Sequence, residues 1–123
     1  MIDRQQIASS EAGKLVEYAI KTLSGKWKWI IIGLLHRKDV LRYGELRSIL
    51  EKPTDSVLSR QLRELEQDNI VLRTSYNEVP PRVEYSLTPK GKAIIPVITA
   101  MLEWGEKFKD DIPKSTMGKK TYW

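Results

Sequence analysis

The chain has 123 residues, enough for one domain with a real core and too few for two ordinary ones. Apolar residues at 41% and charged residues at 30% are the proportions of a soluble globular protein, and 21 Lys and Arg against 16 Asp and Glu give a net +5 that favours an anionic partner. Without cysteine there are no disulfides, thiolate nucleophiles or thiol redox sensors, and the lone His36 cannot assemble a zinc site unaided.

Residues 1–12 are polar and read as an N-terminal arm or the lead-in to a first helix, followed by a domain over 13–111 and a tail over 112–123 that ends on Tyr122 and Trp123. Leu15, Ala19, Ile20 and Leu23 recur at helical spacing with Tyr18 beside them. Ser24 and Gly25 interrupt the pattern before Trp27, Ile30, Ile31, Leu34 and Leu35 resume it, which predicts a second helix over 26–36 and a helical hairpin, with His36 as a C-terminal cap. Residues 40–43 look extended, and Gly44 starts a short helix ending near Leu50. Pro53 blocks continuation.

Thr54 stands at an N-cap position with Asp55 behind it, so a further helix is expected over 55–68, closed by Asn69 in the left-handed conformation. Leu58, Leu62 and Leu65 fall on one side of that helix, and Ser56, Arg60, Arg63 and Gln67 on the other. Two strands follow, over 70–76 and 82–87, bracketing a turn with Pro80 and Pro81 that cannot sit in a regular ladder. Thr88-Pro89 marks the start of a last helix reaching Phe108, with a bend expected near 93–96 because Pro96 lacks a backbone donor. Two short helices and then a hairpin make a winged helix-turn-helix: a mainly α fold with a small antiparallel β-hairpin wing and terminal helices at a dimer interface.

A helix fits the major groove of duplex DNA, so the 55–68 helix is expected to present Thr54, Ser56, Val57, Ser59 and Arg60 to base edges. Arg60 is the candidate for a guanine, the serines can donate or accept, and Val57 suits a thymine methyl. Arg63 suits phosphate or an internal ion pair, and Arg82, in a wing over about 76–82, suits phosphate, the minor groove or a pair with Glu78. Lys26 and Arg42, near helix starts, are further phosphate candidates. The apolar residues of the last helix are too many for one stripe, and covering both sides calls for a second copy of the chain. Leu15, Tyr18, Ile98, Met101, Leu102, Trp104 and Phe108 are the candidate interface. Trp27, Trp29 and Trp104 admit an effector pocket or plain core packing.

Four segments carry a family resemblance: GKW at 25–27, LRYGELR at 41–47, LSRQLRELEQDNIV at 58–71 and VPPRVEYSLTPKG at 79–91. Together they resemble the HxlR-type winged-helix transcriptional regulators over about residues 14–108. The resemblance implies a cytoplasmic, dimeric, prokaryotic DNA-binding protein that represses or activates transcription. Members that sense oxidants carry a cysteine shortly before the Val-Glu-Tyr stretch, here Val16 to Tyr18, where this chain has Lys14. Asn69 replaces the usual glycine after the recognition helix. The expectation is a sequence-specific regulator binding an inverted-repeat operator as a homodimer, not an enzyme, with no cofactor or metal, no membrane span, and no effector named by the residues. The alternative is a winged-helix module that docks to another protein without specific DNA binding.

Overall fold

A computed structural model describes residues 2–114. The predicted feature at Tyr122 and Trp123 lies outside the described residues. Residues 4–9 of the expected arm form a short helix, α1 (Arg4–Ser9), because Asp3 accepts the Gln6 backbone N–H while Gln6 returns its side-chain oxygen to the Asp3 N–H. Ser10 ends α1 and caps α2 (Glu11–Leu23), whose one fully buried residue is Thr22.

The core is built on α3 (Lys28–Lys38), where Ile30 to Leu35 are all buried. This helix runs two residues past His36, which stays exposed; closure comes from Asp39 at φ 64°, whose N–H donates to the Leu35 carbonyl. Strand β1 (Val40–Arg42) leads into α4 (Tyr43–Leu50), which starts one residue ahead of the predicted Gly44. Then come α5 (Asp55–Gln67) and the wing strands β2 (Val71–Tyr76) and β3 (Arg82–Leu87). The sheet has three antiparallel strands in the order β1-β3-β2, so the wing is larger than the predicted hairpin by the short extended segment before α4.

Asn69 adopts φ 58° and the next N–H, of Ile70, reaches back to the Leu65 carbonyl, turning the chain straight from α5 into β2. Thr88 ties both ends of the hairpin: its hydroxyl donates to the Asn69 carbonyl at 2.6 Å and accepts the Gly91 N–H at 3.0 Å. The last helix is broken where the proline predicts it, into α6 (Pro89–Ala93) and α7 (Ile95–Lys107) with Ile94 between them. A 3-10 turn, Lys109–Asp111, follows.

Ile98 lies in the chain's own core with Ile95, so it is not part of the apolar surface proposed for a second copy. Val97, Met101, Leu102 and Trp104 of α7 and Phe108 just after it stay exposed, as do Leu15, Val16, Tyr18 and Ile20 of α2.

Two glycines separate packing from helix propensity. A Cβ on Gly91 would stand 2.2 Å from the Ile70 carbonyl oxygen, whereas one on Gly44 meets nothing within 4 Å. Gly91→Ala is expected to destabilise the fold and Gly44→Ala, inside α4, to stabilise it by about 0.5–1 kcal/mol. Urea denaturation of the two variants checks the opposite signs.

Candidate nucleic-acid interface

The outward face of α5 is set by what the inward face buries. Leu58, Leu62 and Leu65 are essentially inaccessible, and the helix packs on α3 and β2. Ser56, Arg60, Arg63 and Gln67 are left exposed in a row along its length. Thr54 caps the helix as expected, accepting the Val57 N–H at 3.2 Å, so its hydroxyl already has a structural use.

Val57 is half-buried against the core, which leaves less of its side chain for a thymine methyl than the helical pattern implied. Ser59 is half-buried too, 3.4 Å from the Tyr43 hydroxyl. Ser56 and Arg60 are therefore the least encumbered of the proposed base readers. Arg60 keeps only a loose contact, 3.8 Å, to Glu64.

Arg47 fixes the angle between the two helices of the helix-turn-helix. Its Nε donates to Asp55 Oδ1 at 2.8 Å, one Nη donates to the Glu51 carbonyl, and the Tyr43 hydroxyl donates to the same Asp55 carboxylate at 3.0 Å. Asp55 thus serves the N-terminus of α5 and the brace to α4 together.

On its other flank α5 is tied to α3. Lys28, buried along its stem, reaches Glu64 at 2.5 Å, and the Gln61 side-chain oxygen accepts the Trp27 backbone N–H at 3.2 Å. Gly25 sits at φ 131°, and a Cβ there would stand 2.8 Å from the same Gln61 oxygen, so this turn needs glycine twice over. That accounts for the Gly-Lys-Trp segment.

The wing arginine is already occupied. Arg82 pairs with Glu78 at 3.1 Å, lies 3.6 Å from Glu84, and stacks its guanidinium 3.9 Å from the centre of the Tyr76 ring. The ion pair weighed as an alternative at the sequence level is formed, and a phosphate has to displace Glu78 to reach this side chain. Arg42 is exposed at the α4 N-cap, its backbone N–H closed off by Glu45. Lys26 is exposed with its ammonium 5.5 Å from the Trp27 ring.

The three tryptophans do not share one environment. Trp27 is buried in the core, whereas Trp29 and Trp104 are 43% and 69% exposed. Trp104 meets Phe108 in a tilted contact with ring centres 5.3 Å apart. Tyr18 places its hydroxyl against the Lys90 ammonium, which also donates to the Asp68 carbonyl at the end of α5. Among the described residues no cluster of three or more His, Asp or Glu side chains has metal-site geometry.

Gln61, Lys28, Tyr43 and Arg47 are the supporting residues that the sequence reading passed over. Gln61 carried a usable signal, a polar side chain three residues after Leu58 and four before Leu65, on the buried side of the helix.

Glu64 is held below its ordinary carboxyl value, first by the hydrogen bond from Lys28 and further by the charges of Lys28, Arg60 and Arg63, against a desolvation that pushes it up. A carboxyl lowered by folding contributes stability that is full above its unfolded value and lost as pH falls through its folded value. Wild type is therefore expected to lose more stability than Glu64→Gln between about pH 7 and about pH 3. Denaturation midpoints at the two pH values measure the difference.

The model of the HxlR-like helix-turn-helix family matches residues 22–113. The uncharacterized HTH-type transcriptional regulator YdeP of Bacillus subtilis (strain 168) is 45% identical over 106 residues, covering 85% of this chain and 81% of that protein. A crystal structure described as a candidate MarR-family transcriptional regulator from Enterococcus faecalis V583 superposes with a TM-score of 0.75 at 38% identity, over 89% of this chain and 96% of that one. The redox regulator HypR in its oxidized form gives a TM-score of 0.68 at 43% identity, over 76% of this chain and 95% of that one. With a winged helix-turn-helix whose second helix is anchored by leucines and open on its polar side, the chain belongs to the HxlR-like helix-turn-helix family of transcriptional regulators.

Proposed function

We propose that the chain acts in the cytoplasm as a homodimer that binds duplex DNA sequence-specifically, without catalysis, at an imperfect inverted repeat. The observation that carries this reading is the open polar face of α5, with Ser56 and Arg60 free of strong internal partners. Its N-terminal half enters the major groove, Arg60 takes a guanine edge, and Arg63 takes phosphate. Arg82 in the wing reaches the backbone or minor groove by exchanging Glu78 for phosphate, with Lys26 and Arg42 as outlying phosphate contacts.

The dimer reading rests on two apolar helix faces that the chain leaves uncovered: Leu15 and Tyr18 of α2, and Met101, Leu102 and Trp104 of α7 with Phe108 just after it. Two reading helices related by a two-fold axis would meet successive major grooves about 34 Å apart. The relative HypR is a redox regulator, yet this sequence contains no cysteine, so any signal here is sensed through other chemistry.

Selection from random duplexes is expected to return a two-fold-symmetric site. On that site Arg60→Ala should cost about 1–3 kcal/mol and relax preference at one base pair per half-site, and Arg63→Ala should weaken all sequences alike. Recovery of no specific duplex, with saturable binding to a protein partner instead, would assign the module to protein docking. Light scattering is expected to give twice the chain mass, reduced to the chain mass by Met101→Glu with Trp104→Glu.

A further inference from the structure

Between the second half of α5 and the wing lies a small cleft of about 210 Å³, lined by Tyr43, Ser59, Arg63, Glu66, Arg73 and Tyr85. Arg73 is unusual in its place. It pairs across the sheet with Tyr85, which is buried, so both side chains stand on the face of the sheet that meets the helices. Val71, two residues earlier on that face, is in the core. Arg73 itself is exposed, so the buried side of the strand ends at Val71 and gives way to a charge.

Neither Arg63 nor Arg73 forms an ion pair within 4 Å among the described residues. Two guanidinium groups line the cleft with one carboxylate, Glu66, and Glu64, which feels the charge of Arg63 from outside it, is already paired with Lys28, leaving the cleft positive. Of its hydroxyls, that of Tyr43 already donates to Asp55, while those of Ser59 and Tyr85 can donate into the cleft. The neighbouring Asp55 is already matched by Arg47.

We propose that this cleft is a phosphodiester clamp, in which Arg73 and Arg63 grip one backbone phosphate of the bound duplex with help from the Ser59 hydroxyl. The inference rests on the duplex-binding reading above and adds Arg73 to it. The reason is topological. When α5 lies in a major groove and the wing reaches the adjacent minor groove, the sugar-phosphate strand dividing those grooves has to pass between α5 and the sheet. The cleft opens at that place. Arginine's fork suits a phosphate's paired oxygens better than a lysine's point charge does, while either cation releases the same condensed counterion.

Glu66 sets the opposing term. It lowers the positive potential of the empty cleft and repels the incoming phosphate.

The test is the salt dependence of duplex binding by the full chain, using the selected site and a scrambled duplex. Arg73→Ala is expected to lower the slope of log affinity against log salt by about 0.9 for each half-site on both duplexes, with base preference unchanged. Arg73→Lys should retain the slope, and Glu66→Gln should tighten both duplexes at low salt. An unchanged slope in Arg73→Ala, with wild type still selecting its site, would overturn the clamp and leave the regulator reading standing. Failure of wild type to bind any duplex would overturn both. If Arg73 and Glu66 only brace the fold, their variants lower the melting temperature while the slopes stay fixed, which also overturns the clamp. Saturable binding of inorganic phosphate at constant ionic strength, without a slope change on duplex, would give the cleft to a free anion and overturn the proposal.

Discussion

Leu58, Leu62 and Leu65 bury their side chains completely, each gaining about 1.5–3 kcal/mol over exposure, and that burial prevents α5 from rolling about its own axis. The facing of the polar residues of α5 follows from this restraint. A roll of one residue, about 100°, would drive Arg60 toward the core and pull leucines into water. The polar braces then act on a helix whose facing is already decided. Arg47 with Asp55 sets its angle to α4, and Lys28 with Glu64 sets its distance from α3.

The wing is held by polar contacts of its own. Tyr76, Glu78, Arg82 and Glu84 form one compact knot of stacking, ion pairs and a hydroxyl-to-carboxylate bond at the root of the turn. A protruding hairpin with few core residues gains order from this knot, and the cost falls on Arg82, whose charge is partly spent at home.

Most of the architecture was legible because local rules and tertiary demand agree. Thr54, Asn69, Thr88 and Pro96 each punctuate the chain where cap and proline chemistry says they should. α1 was missed because a helix of six residues shows no periodicity; only the reciprocal Asp3 and Gln6 cap marks it. β1 was read as extended yet not as a strand, since its partner β3 lies more than forty residues away and pairing at that distance leaves no local trace. The candidate site was legible as a face. Which members of that face are free was not, because Glu78 capturing Arg82, Tyr43 approaching Ser59 and the core claiming half of Val57 are contacts between elements.

The Gln61 amide joins α5 to the turn that begins at Gly25, and α2, with its uncovered apolar side, ends two residues before that turn begins. The end of α2 and the tilt of α5 thus share one anchor, the Trp27 N–H held by Gln61, beside the Lys28 and Glu64 pair. The tilt of the open polar face of α5 is therefore set in part from a glycine joint that lies outside the helix-turn-helix itself.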